Sequence, residues 1–233
     1  MITGAGGQVG SVLAGEAGRR GYSVHALTHR DLDITDPDAV EAVVRGDDLV
    51  VNCAAMTNVD DSEADPDAAF AINAAGPGNI ARTCARVNAR MIHISTDYVF
   101  SGDHRRPYEI SDATGPLSVY GKSKLAGESA VLTALPGAFV VRTSWVYTGG
   151  NGTDFVAVMR RLAASDQAID VVDDQTGSPT YAGDLVSSLL EIAAGGVAGP
   201  VLHVANVGAV SRWEQARAVF AEVGADPERV RPV

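Results

Sequence analysis

Thr3-Gly-Ala-Gly-Gly-Gln-Val-Gly10 decides the fold. Gly4, Gly7 and Gly10 recur at every third position, Val12–Arg20 behind them reads as a helix, and Ser23–Leu27 reads as a strand. A glycine turn feeding a helix and then a strand is the opening of a βαβ unit. Glycine allows the tight turn, and the first N–H groups of a helix, lacking intrahelical partners, hold an anion well. The expectation is a dinucleotide whose pyrophosphate sits at this helix start. Only Met1 and Ile2 precede Thr3, fewer than the roughly five residues of an ordinary strand. The first strand is therefore expected to be trimmed.

The second strand ends at Thr28-His-Arg-Asp31. A site for NAD usually has an acid at this point to hold the ribose hydroxyls. Here Arg30 comes before the acid, which favours the 2′-phosphate of NADPH; a solvent-facing loop is the alternative. Asp36 or Thr35 is expected to cap a helix over Asp38–Arg45, with Pro37 at its first position. Asp48–Ala55 reads as a buried strand whose small residues at Asn52–Ala55 leave room for a cofactor. Thr57–Glu63 reads as an acidic loop. A helix follows from Pro66 to about Asn88, with a break expected near Gly76-Pro-Gly78. Asn73 in it either approaches the site or serves packing or capping.

Arg90–Phe100 reads as a buried strand and its exit, with the hydroxyls of Ser95, Thr96 and Tyr98 and the acid Asp97 where it leaves the sheet. Ser101–Pro116 is a loop. Phe139–Tyr147 is the next strand, with Arg142 and Trp145 near its end, and Gly149–Gly152 a flexible loop. Asp154–Ala164, Tyr181–Ala193 and Ser211–Val223 read as helices, the last capped by Ser211. Ile169–Gln175 follows the first of them, and Pro200–Asn206 reads as a strand. Strands alternating with helices imply an α/β fold of the Rossmann type, a doubly wound parallel sheet. Residues 1–145 are assigned to the cofactor-binding domain, with the helix at about 181–194 packing back on it. About 146–180 and 207–233 form a small C-terminal substrate-binding lobe.

Ser-Val-Tyr-Gly-Lys-Ser-Lys-Leu-Ala-Gly-Glu, residues 118–128, carries the chemistry. Tyr120 and Lys124 share a face if the segment is helical. A phenol has an unperturbed pKa of about 10, and lowering it three units takes roughly 4 kcal/mol. One ammonium at about 4 Å supplies that much at an effective dielectric near 20. The pair can therefore transfer a proton near neutral pH. A surface helix that happens to carry both residues is the plain alternative.

The 233 residues are 46% hydrophobic and 20% charged, which suits one domain with at most a small appendage. A net charge of −11 speaks against nucleic acid or an anionic membrane as partner. Cys53 and Cys84 have no metal-like spacing and fit a reduced, cytoplasmic protein. No apolar run is long enough for a bilayer span and no signal peptide is expected.

Taken together, Gly4–Gly10, Asn52–Asp60, Ser95–Phe100, Tyr120–Glu128, Arg142–Tyr147 and Asp174–Thr180 go beyond single motifs. They resemble the extended short-chain dehydrogenases/reductases, and within them the dTDP-4-dehydrorhamnose reductase family, in order and almost end to end. The resemblance implies that Thr96, Tyr120 and Lys124 are catalytic and that Thr96, Asp97 and Trp145 touch the sugar. It implies that Gln8, Val9, Asp33, Ile34, Ala55 and Thr57 line the cofactor, joining Gly4, Gly7, Gly10, Arg30 and Ala54 from the reading above, with Tyr120 and Lys124 at the nicotinamide end. It implies NADPH, with NADH as the alternative, as hydride source for the C4 ketone of dTDP-4-dehydro-L-rhamnose, in dTDP-rhamnose biosynthesis. Some members form magnesium-linked dimers; no acidic ligand set is evident here, no metal is assigned, and monomer and homodimer both stay open. Members continue past the position of Val233 with residues that help cover the nucleotide sugar, so the lobe is expected to be incomplete. Asp154 stands where they often carry Asn, and is expected to face away from the substrate phosphates. Two rivals remain: a nucleotide-sugar dehydratase or epimerase, and a non-catalytic NADP-binding regulatory subunit of methionine adenosyltransferase. Resembling dehydratases carry Asp-Glu after the threonine, whereas Asp97 and Tyr98 follow Thr96 here.

Overall fold

The structure, a computed structural model, describes residues 1–150 and 152–233; Asn151, in the loop expected over Gly149–Gly152, lies outside the described residues. The chain divides into two compact units, residues 1–143 with 186–204, and residues 144–185 with 205–233.

The first unit is built on a six-stranded sheet. Its strands are β1 (Ile2–Thr3), β2 (Ala26–Leu27), β3 (Leu49–Asn52), β4 (Arg90–Thr96), β5 (Phe139–Thr143) and the segment Val201–His203. Their order is Val201–His203, β5, β4, β3, β1, β2, and every pairing is parallel. Parallel neighbours need crossovers, here supplied by helices such as α1 (Gln8–Arg19) and α2 (Pro37–Val43). With both faces covered, the central strands bury nearly every residue, Val50, Ile92, Val140 and Val141 completely. The chain goes from β1 outward to β2 and then returns to the far side of β1 as β3. The strand order therefore switches at β1, and ligands of such sheets bind outside the strand C-termini at that point.

Several local expectations shift. α1 begins at Gln8, earlier than Val12, because the glycine turn runs straight into it with Gly7 as N-cap. β2 covers only Ala26–Leu27, since Ser23–His25 are largely exposed and outside the ladder. The acidic run expected as a loop forms α3 (Val59–Ala64) instead. Asn58 caps it by accepting from the N–H groups of Asp60 and Asp61, and the acids of its first turn suit the positive end of the helix dipole. α4 (Pro66–Phe70) passes through a π-turn at Ala71–Ala75 into α5 (Gly76–Val87). The interruption lies just before Gly76-Pro77. Pro77 has no N–H for the carbonyl of Asn73, and that carbonyl faces Gly127 on α6 (Val119–Ala134) instead.

The second unit packs helix Phe155–Ala163 on helix Arg212–Glu222 around Met159, Ala216, Phe220 and Val230. Ser211 and Glu214 form a capping box on the latter. Asp154 caps the former, accepting from Ala157 N–H with one oxygen and from Thr148 N–H and hydroxyl with the other. The strand expected over Phe139–Tyr147 stops at Thr143; Trp145 has φ +49°, left-handed backbone that no strand accommodates. No helix among the described residues is long and apolar enough to cross a membrane.

Candidate active site

The glycines make the turn after β1 possible. Gly4 has φ +64°, and a Cβ there would lie 2.5 Å from the backbone nitrogen of Ala54. A Cβ on Gly10 would lie 2.3 Å from the carbonyl oxygen of Gly4. The turn is thus folded onto the exit of β3, with Gly6 and Gly7 exposed and Gln8, Val9, Ala54 and Ala55 half-buried around it. Gly7 offers no side-chain cap to α1, a helix of 12 residues. That is a fitting seat for a pyrophosphate. Just past β2 the exposed carboxylate of Asp31 folds back on the chain, accepting from the N–H and hydroxyl of Thr28. Those bonds hold its pKa below the usual carboxylate range. Arg30 beside it is exposed, as is Thr57. Asp33 accepts from Thr35, and Ile34 is buried against Gly76.

α6 brings the chemical groups together. Ser118 caps its start through Gly121 N–H, and Glu63 of α3 accepts from Val119 N–H at 2.7 Å. A Cβ on Gly121 would fall 2.3 Å from the carbonyl of Tyr98, so the helix closes directly on the turn that follows β4. Tyr120 then meets the ring of Tyr98 edge to face at 5.5 Å, close enough to Thr96 for that side chain to act on its phenol. The Thr96 hydroxyl donates to Asp97 at 3.1 Å and accepts from Tyr98 N–H. Asn73, buried, clamps the other side: it bonds both backbone groups of Met56 and donates to Ser123, whose hydroxyl donates to the carbonyl of Tyr120. Packing is the use the structure gives Asn73.

The electrostatics differ from the simple tyrosine–ammonium pair. Burial pushes the Tyr120 phenol up to about 12, opposed by the Thr96 side chain. Lys124 donates to the carbonyl of Ile94 at 2.6 Å, committing its ammonium to β4. Burial pulls its pKa down to about 8, with Glu128 and Cys53 acting in the opposite sense. In the free chain the phenol is a firm proton holder, as suits an acid that donates.

One group of functional interest had no assigned role in the sequence. Glu128 accepts from Ser95 at 2.5 Å and from Arg142 through two bonds of 2.9 and 2.7 Å, all three side chains being buried. Arg142, near the end of β5, is engaged in this bridge. The available signal was spacing, since Glu128 lies four residues beyond Lys124. Asp97 lies partly exposed beside Thr96. Trp145 belongs to the second unit, where its ring is backed by Gly177 and covered by the guanidinium of Arg212 at 3.4 Å. Among the described residues no three His, Cys, Asp or Glu side chains are grouped to hold a metal.

Residues 1–233 match the family described as RmlD substrate binding domain. A dTDP-4-dehydrorhamnose reductase of Mycolicibacterium smegmatis (strain ATCC 700084 / mc(2)155) is 62% identical over 233 residues, all of this chain and 71% of that protein. A dTDP-4-keto-6-deoxy-D-glucose reductase of Streptomyces niveus is 42% identical, covering 100% of this chain and 81% of that one. The crystal structure of dTDP-4-dehydrorhamnose reductase from Bacillus anthracis str. Ames in complex with NADP superposes with a TM-score of 0.93 at 38% identity, over 100% of this chain and 82% of that one.

Proposed function

The chain belongs to the RmlD substrate binding domain family, and on that premise we propose that it reduces the C4 ketone of dTDP-4-dehydro-L-rhamnose to dTDP-L-rhamnose. It is an NADP-linked oxidoreductase acting on a nucleotide sugar. The observation that carries the reading is Tyr120, packed against Tyr98 in the turn after Thr96 and one helical turn from Lys124, on the unit that also carries the glycine turn.

NADPH, when bound, supplies the hydride, and the protein supplies alignment and the proton. The glycine turn and the start of α1 would hold the pyrophosphate, with Gln8 and Val9 beside it and Ala54, Ala55, Asp33, Ile34 and Thr57 toward the adenosine. Arg30 would meet the 2′-phosphate, giving NADPH preference over NADH. Thr96 orients the ketone oxygen. Tyr120 gives its proton to that oxygen as the alkoxide forms, and the Lys124 ammonium stabilises the phenolate left behind. The family resemblance assigns Asp97 and Trp145 to the sugar. Monomer and homodimer both accommodate this chemistry, which we place in the cytoplasm.

The test follows cofactor absorbance with purified protein and dTDP-4-dehydro-L-rhamnose. The proposal requires NADPH consumed in step with dTDP-L-rhamnose formed. A 4-keto product made from dTDP-glucose and NAD, without net loss of cofactor, would make the protein a dehydratase.

A further inference from the structure

We propose that Glu128 is a positioning residue: anchored by Ser95 and Arg142, it is the buried anion that keeps Lys124 protonated one helical turn away. Lys124 and Glu128 are only 2% and 3% exposed and lie four apart on α6, so both project to the face that covers the sheet. An ammonium so buried loses its hydration, and the neutral form gains unless a counter-charge is near. The groups facing Lys124 offer little else. From α6 itself comes Tyr120, a neutral phenol. From β4 comes His93, held uncharged by burial, and its Nδ1 is tied to Asn52. After β3 comes Cys53, a thiol pushed up to about 12. The Ile94 carbonyl contributes a dipole but no charge. Glu128 is the carboxylate of the group.

Glu128 is also unusually fixed. Its Oε1 accepts from Ser95 and from Arg142 Nε, and its Oε2 from Arg142 Nη2. The bidentate fork lets the carboxylate keep its charge in a dry setting. Arg142 and Ser95 are paired neighbours on β5 and β4, so the sheet sets the anchor in register. The Arg142 guanidinium, bound to that carboxylate, repels Lys124 and opposes part of the attraction. That Lys124 serves a catalytic tyrosine rests on the function proposed above; its charge state does not.

The chain contains two lysines, Lys122 on the surface and Lys124 inside, so lysine labelled with carbon-13 reports the buried ammonium directly. The titration is followed by NMR on the whole protein without substrate or cofactor. Glu128→Gln strands a buried guanidinium and is prone to unfolding. The informative variant is Glu128→Gln with Arg142→Met, which removes both charges and keeps the volume. Its Lys124 midpoint should fall by about one unit, and that of Glu128→Gln, where folded, by about two, on the Coulomb scale at an effective dielectric near 20. An unchanged midpoint in the double variant, even with lower thermal stability, overturns the proposal. A shifted midpoint in a protein that shows no reductase activity would leave it standing and sink the function instead.

Discussion

Replacing Lys124 by Met tests the electrostatics of the site through folding. In the free chain burial lowers the Lys124 pKa from 10.5 to about 8. Below the lower value both folded and unfolded chains carry the ammonium, and the folded one bears the full cost of holding it inside. A gap of that size corresponds to about 3 kcal/mol. As pH rises past the folded value, the folded chain loses the proton while the unfolded chain keeps it, so stability rises. Above the unfolded value both are neutral and the penalty is gone. Linkage over the accessible part, from about pH 7 to about pH 9.5, gives a gain of about 2 kcal/mol. Lys124→Met removes the titrating group and cannot show it. The measurement is urea unfolding of both proteins at both pH values, followed by far-ultraviolet circular dichroism, because Trp145 and Trp213 both lie in the second unit. The double difference cancels titrations common to both proteins, such as that of Cys84, and any difference between them that does not depend on pH. Wild type should gain about 2 kcal/mol on the variant with rising pH. A flat difference, or one of opposite sign, refutes a buried ammonium of depressed pKa.

Three further substitutions address the site. Tyr120→Phe removes only the phenol hydroxyl; NADPH binding should persist while turnover falls roughly 10²–10⁴-fold, as for loss of a general acid, and near-wild-type turnover would reject the role. Arg30→Ala should raise the KM for NADPH and leave that for NADH nearly unchanged; equal losses would show that this exposed arginine does not read the phosphate. Gly127→Ala would set a Cβ 2.1 Å from the Asn73 carbonyl oxygen, forcing α6 off the π-turn at a cost of about 1–3 kcal/mol; an unshifted melting temperature would contradict that packing.

The α/β fold was legible because its signals are local. Gly4 and Gly10 are demanded by backbone geometry, and the alternation of apolar strands with helices follows from the central strands being buried on both faces. Tyr120 and Lys124 could be paired from spacing, since the helical period puts them on one face. What the sequence left undecided depends on distant partners. The acidic run at Asp60–Glu63 gains from Asn58 and the helix dipole what its charges alone disguise. Asn73 takes its role from Met56 and Ser123, residues 17 and 50 positions away. The partner of Arg142, Glu128, lies 14 residues back on another element. The sign of the Tyr120 shift was beyond sequence for the same reason: pairing with Lys124 argues for a lowered pKa, and only the fold reveals how much water burial takes from the phenol and that the ammonium is turned to Ile94. Spacing along the chain determines which groups can share a face; desolvation and partner choice are set by segments remote in sequence, and so by the tertiary structure alone.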